Sequence, residues 1–175
     1  MNKIKDKIWI IVSCILMIFS ACQSTQIVDD KFINLKSHYE IALPGEPWER
    51  VEIHSEDLAM RNKENDAVFA IISQATSTEE TTLDTLCKQL FIGIKKKNII
   101  DKGYVNINNQ RIMRIVLEGV LDNFNVKIMA YVVKSGEFVY DIVYWSAPDR
   151  FDTFLEDFEK AVRTLKLITD RTEQT

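Results

Sequence analysis

Hydrophobic and polar positions along the chain repeat with two periods, near two and near 3.6 residues, and each marks its own stretch. His38–Leu43 alternates weakly and ends at Pro44-Gly45, a strand closed by a turn. Pro47-Trp48 opens an irregular stretch through Ser55. Asp57–Lys63 reads as a short strand and Glu64-Asn65 as a hairpin turn. Asp66–Gln74 (DAVFAIISQ) is a strand with a buried middle. Tyr104–Ile107 is a short strand before the turn-forming pair Asn108-Asn109. Gln110–Leu121 alternates over its whole length, and Asp122–Asn125 turns the chain. Val126–Lys134 and Glu137–Trp145 are strands joined by a tight Ser135-Gly136 turn. Connections this short force antiparallel neighbours.

Two stretches carry the helical period. Ser77 meets Glu80 three residues on, the signature of a capping box. Leu83, Leu86, Cys87, Leu90 and Ile94 then share one face, which predicts an amphipathic helix over 79–97. Lys95-Lys96-Lys97 falls in its last turn, where cations offset the negative helix end. The second helix spans 149–166, with Ser146 as cap and Pro148 in the first turn. Phe151, Phe154, Leu155, Phe158, Val162 and Leu165 form its apolar face. Strands with separated helices predict an α+β fold: a mainly antiparallel sheet with two long helices packed on it.

Several of these features resemble the Mog1/PsbP-like family. They are Tyr39-Glu40-Ile41-Ala42-Leu43-Pro44 leading to Trp48, the helix 79–97, the meander 104–145 and the Phe-rich helix 149–166. The resemblance covers most of 36–168 and implies an α/β/α sandwich. Photosystem subunits, a nuclear transport factor and bacterial envelope lipoproteins share that fold. It implies a non-enzymatic, partner-binding module and carries over no signature residue.

The first residues follow neither period. Lys3, Lys5 and Lys7 precede an uncharged, mostly apolar stretch, Ile8–Phe19, and then Ser20-Ala21-Cys22. This is the layout of a targeting segment with a small-residue cleavage site. The apolar stretch falls short of the roughly 20 residues that span a bilayer. Phe19-Ser20-Ala21-Cys22 resembles a bacterial lipoprotein lipobox, with Phe19 where Leu is usual. The resemblance implies cleavage before Cys22, lipidation of its sulfur and a membrane anchor, palmitate among the acyl chains. Gln23 in place of Asp implies outer-membrane sorting in a Gram-negative host. The expected organisation is a signal peptide 1–21, a lipidated Cys with tether 22–35, one domain 36–168 and a polar tail 169–175.

Of 175 residues, 46% are apolar and 27% charged, a globular composition that excludes disordered and fibrous classes. Removing 1–21 takes three Lys and one Asp. That leaves 19 basic and 25 acidic residues, net −6. Phosphate binding needs a basic face, so nucleic acid is not an expected partner. Cys87 is the one thiol left outside lipidation and sits on a helical apolar face, which reads as a small buried hydrophobe. His38 and His54 stand in no catalytic motif, and no dense His/Cys cluster suggests a metal. The reading is therefore no enzyme, no cofactor and no metal.

Asp141 is the one charge in the middle of an apolar strand. It shares a pleat face with Val139, Val143 and Trp145, and Phe138, Tyr140, Ile142 and Tyr144 take the other. Arg114 and Glu118 share a face of the 110–121 strand. One reading is a half-exposed face whose charges pair across strands. The other is a partner-binding patch of Arg114, Glu118, Asp141 and Trp145. Trp48, opening the domain, reads as core. The expected function is a lipid-anchored envelope protein that binds another protein as accessory or assembly factor. A small-molecule or lipid carrier with a pocket between sheet and helix is the alternative. A hydrolase using Asp141 and Glu118 alone is a third.

Overall fold

The computed structural model describes residues 24–52, 57–76 and 81–168. Its centre is a seven-stranded antiparallel sheet in the order β4-β5-β6-β10-β9-β8-β7. The strands are β4 (Trp48–Arg50), β5 (Leu58–Asn62), β6 (Val68–Ala75), β7 (Lys95–Ile107), β8 (Gln110–Leu121), β9 (Phe124–Ser135) and β10 (Phe138–Ser146). A four-stranded sheet is built from β1 (Thr25–Val28), β2 (Lys31–Asn34), β3 (Tyr39–Ala42) and β11 (Lys166–Leu167). The α-helices are α1 (Leu83–Leu90) and α2 (Leu155–Arg163), the latter preceded by a 3-10 turn over Pro148–Thr153.

Turn chemistry sets the meander. Asn108 and Asn109 both have positive φ (50° and 64°), as do Asp122 and Asn123 (47° and 72°). Asn and Asp tolerate that region, and positive φ at both central residues matches the right-handed twist of the flanking strands. β8 and β10 fall where alternation predicts them.

Both faces of the central sheet are buried. On one, Phe69, Ile71, Ile112, Val116, Tyr131, Tyr140 and Tyr144 meet Phe158, Ala161 and Val162 of α2 and Phe32, Tyr39 and Ile41 of the small sheet. Phe158 lies 5.2 Å from the Phe69 ring and 5.3 Å from Tyr144, with Tyr131 at 5.9 Å. On the other, Met113, Ile115, Leu117, Ile128, Ala130 and Val132 pack under Cys87 of α1 and Phe91 at its C-terminal end.

Four expectations change. The predicted tether is not loose along its length: β1 and β2 form a hairpin, and Phe32 and Asn34 are fully buried. Its turn is Asp29-Asp30, both at positive φ. The helix expected over 79–97 ends at Leu90, because Gly93 takes φ 100° and breaks the spiral. Lys95-Lys96-Lys97 therefore starts β7 rather than ending the helix, and Lys97 Nζ donates to the carbonyl of Phe91, the helix C-cap residue, at 3.2 Å. The proposed capping box of Ser77 and Glu80 lies outside the described residues, and Thr82 Oγ1 caps α1 by accepting from Thr85 N. The helix expected over 149–166 is a 3-10 turn followed by nine residues of α-helix, and Ser146 does not cap it. The two layers are thus short helices on a dominant sheet.

Truncating Phe158 leaves a hole among three rings. Phe158→Ala should cost about 3–5 kcal/mol, the usual range for a buried Phe. A urea titration checks this: the midpoint should fall with little change in slope.

Candidate functional site

Register decides where the candidate residues point. Asp141 pairs with Ile72 of β6 and Val132 of β9, which places it on the α1 face with Val139 and Val143. Arg114 pairs with Tyr131, which belongs to the α2 face. Glu118 follows Arg114 by four residues and shares that face. The four residues expected to form one patch therefore divide, Asp141 and Trp145 on one side of the sheet and Arg114 and Glu118 on the other.

Arg114 forms an ion pair with Asp101 of the neighbouring strand, and Glu118 stands opposite Lys127. The Arg114–Asp101 pair is the cross-strand pairing that the simple reading expects. Lys127 Nζ lies 4.5 Å from the Phe151 ring centre and 3.7 Å from Asp152. Trp145 is half-buried against the α1-side core. Trp48 is core: it is 5% exposed, and its Nε1 donates to Asp157 at 3.3 Å. Asp141 and Glu118 cannot flank one scissile bond from opposite faces, so the geometry does not assemble the paired-acid hydrolase. Cys22 lies outside the described residues. Among the described residues no helix is long and apolar enough to cross a membrane, and no cluster of three or more His, Cys, Asp or Glu could hold a metal ion.

Asp141 departs from both readings of its face. It is 8% exposed, and its Oδ1 has no hydrogen-bond partner. Burial alone pushes its carboxyl up to about 6. Charged groups on this side include Lys134, placed opposite Val139, and the Lys102–Asp84 ion pair. The carboxylate lines a cleft of about 520 Å³ between α1 and the β6–β10 half of the sheet. Leu86, Leu90, Ile72 and Val139 form its apolar walls; Gln74, Gln89, Thr76 and Thr81 supply polar groups. α1 packs on β8 and β9, and the cleft lies to its side, over β10 and β6. Cys87, beside this cleft on α1, is buried, and burial holds its thiol above the usual range. A thiol held protonated is a poor nucleophile.

A second polar cluster escaped sequence reasoning. Ser73 Oγ lies 2.6 Å from Asp57 Oδ1 and 2.7 Å from Ser37 Oγ. Tyr140 OH donates to Ser37 O at 2.7 Å, and Asn34 Oδ1 accepts from Ser37 N at 2.8 Å. Carboxylate, hydroxyls and amide tie the small sheet to β6 and β10. They do not form the Ser–His arrangement that activates a nucleophile. Alternation could not reveal this cluster, because its members come from four separate segments.

A larger cleft of about 720 Å³ lies between the small sheet and the β7–β8 turn. Three of its polar side chains are engaged: Asn108 Nδ2 donates to Arg163 O and Leu165 O, and Lys166 pairs with Glu40. It is a joint between layers.

No family model matches the chain, and no curated protein matches it. Solved structures do. Cyanobacterial PsbP (CyanoP) from Synechocystis superposes with TM-score 0.59 at 16% identity, over 85% of this chain and 95% of that one. LpqN, involved in cell envelope biogenesis in Mycobacterium tuberculosis, gives 0.56 at 10% identity over 83% and 90%. A Pseudomonas aeruginosa protein of unknown function, PA94, gives 0.53 at 10% identity over 80% and 93%. The fold is PsbP-like, built mostly of antiparallel sheet.

The pH dependence of stability reports on Asp141. Its folded pKa lies above the unfolded value of 3.8, so the folded state holds the extra proton between the two. Stability falls as pH rises from about 4 to 6, by roughly 3 kcal/mol for a shift of this size. Asp141→Asn should match the native protein below pH 4 and melt higher above pH 6.5. Thermal melts of both proteins at several pH values check this.

Proposed function

We propose that this chain is a lipid-anchored bacterial envelope protein that acts without catalysis, docking a partner protein as an accessory or assembly factor. The observation that carries the docking is the open edge of the central sheet. Among the described residues β7 has no strand on its outer side, and Ile99 (56%), Ile100 and Tyr104 are exposed along it. Ile92 (79%), Phe124 (74%) and Leu121 extend the apolar surface at the end where β7 begins. An unpaired edge accepts an added strand, and an exposed apolar cluster of this kind marks interaction surfaces. Lys95 and Lys96 are exposed beside it. They repel a second copy of the same edge and favour a segment bearing acidic and apolar side chains.

The anchor rests on the charged start, the apolar stretch and Ser20-Ala21-Cys22. Each buried methylene contributes about 0.8 kcal/mol, so two or more acyl chains hold a domain durably. The fold likeness to LpqN supports an envelope setting. The cleft beside Asp141 favours a second reading, a small-molecule carrier with its pocket between sheet and helix.

Cys22→Ala should abolish palmitate labelling and move the protein from the membrane fraction to the soluble one. Unchanged labelling would remove the anchor. Crosslinking in intact cells tests the docking edge. Ile99→Ser with Phe124→Ser should lose a stoichiometric partner that Arg114→Ala retains. Capture unaffected by the double change would rule out this surface.

A further inference from the structure

We propose that the cleft between α1 and the β6–β10 half of the sheet binds a primary ammonium group carried on a short aliphatic stem, with Asp141 as its counter-ion. This stands apart from docking at β7 and deepens the carrier reading, on which it rests.

A buried carboxylate is costly unless its oxygens are paired, and Asp141 Oδ1 has no partner. Lys102, a cation of the same face, already pairs with Asp84 on α1. The cleft beside Asp141 measures about 520 Å³, within the usual range for small-ligand sites. Its walls match a stem: Leu86 and Leu90 on one side, Ile72 and Val139 on the other. Gln74 and Gln89 offer acceptors for the remaining ammonium hydrogens. A compact ammonium needs one free oxygen, whereas a flat guanidinium is best served by both in one plane. A lone carboxylate with amides is also a poor cage for a divalent cation, which takes several oxygen ligands.

A bound cation favours the ionised carboxylate, so occupancy and titration are linked. Lys134 on β9, Lys102 on β7, and Asp84 and Cys87 on α1 are the other ionisable groups around this face; the ion pair holds the Lys102 ammonium up and the Asp84 carboxyl down to about 2, and burial pushes the Cys87 thiol up. Burial has pushed the Asp141 carboxyl up to about 6, so a bound cation should draw its proton off.

The test is a titration of the full chain, labelled with carbon-13 at Asp carboxyls and Leu methyls. n-Butylammonium chloride and n-butanol are added at pH 7.5 and constant ionic strength. Saturable movement of the Asp141, Leu86 and Leu90 signals by the ammonium is expected, with the alcohol at least tenfold weaker. Saturating amine should lower the Asp141 titration midpoint by one pH unit or more. Asp141→Asn should weaken ammonium binding at least tenfold while the rest of the spectrum persists. Leu86→Trp, which fills the cleft and leaves the carboxylate in place, should do the same.

N-acetyl-lysine methylamide distinguishes the source. Binding as tight as the free amine's points to a lysine presented by a protein chain, and binding of the free amine alone points to a small molecule. Equal binding of butanol and butylammonium would overturn the ammonium site and leave an apolar carrier. No saturation with either probe would overturn both.

Discussion

The meander β8–β9–β10 is apolar on both faces, so two separate layers must cover it. Ile112, Val116, Tyr131 and Ile142 point one way, and Met113, Ile115, Val132 and Val143 the other. An antiparallel sheet often leaves one face in water. Here neither face of the meander can be left there, at about 25 cal/mol per Å² of exposed apolar area. The α2 face is closed by aromatic rings around Phe158 and by the small sheet. Tyr140 and Tyr144 satisfy their hydroxyls on the backbone of Ser37 and Phe151. That requirement explains why residues 25–34 join the fold: Phe32 and Asn34 are needed where α2 alone does not reach.

The α1 face is covered less completely. Eight residues of helix extend about 12 Å, and neighbouring strands lie about 4.8 Å apart, so α1 spans only part of a seven-stranded sheet. It sits over β8 and β9, where the apolar side chains are densest. The flank over β10 and β6 is left as a cleft, and Asp141 lies there. The same shortness gives the chain after Gly93 to β7, a thirteen-residue strand whose outer edge no described strand pairs. The cleft and the open edge are two consequences of one helix ending early.

Much of this architecture is legible in the chain. Alternation through Gln110–Leu121 and Phe138–Trp145 places both strands and assigns both faces of β10, because a pleat has no freedom to do otherwise. Asn108-Asn109 and Asp122-Asn123 declare their turns because few residues accept positive φ twice in succession. Cys87 reads as buried from its helical phase alone. The same reasoning overruns at Ile94, which keeps the helical phase although Gly93 has already ended the helix. It also misses β1 and β2, although Asp29-Asp30 between two apolar runs has the form of a hairpin turn.

The sequence by itself determined a sheet-dominated α+β domain, its principal turns, the phase of each face and the lone charge in the middle of β10. These are local properties, set by side-chain type and period. Only the tertiary structure decided that Asp141 and Trp145 face away from Arg114 and Glu118, because faces are related through pairing register across three strands. Only it decided that Asp141 lies unpaired under the rim of α1, because burial depends on how far a helix reaches over a sheet. The Ser37–Ser73–Asp57 tie is of the same kind: residues distant in sequence meet where layers stack, and no period along the chain records that meeting.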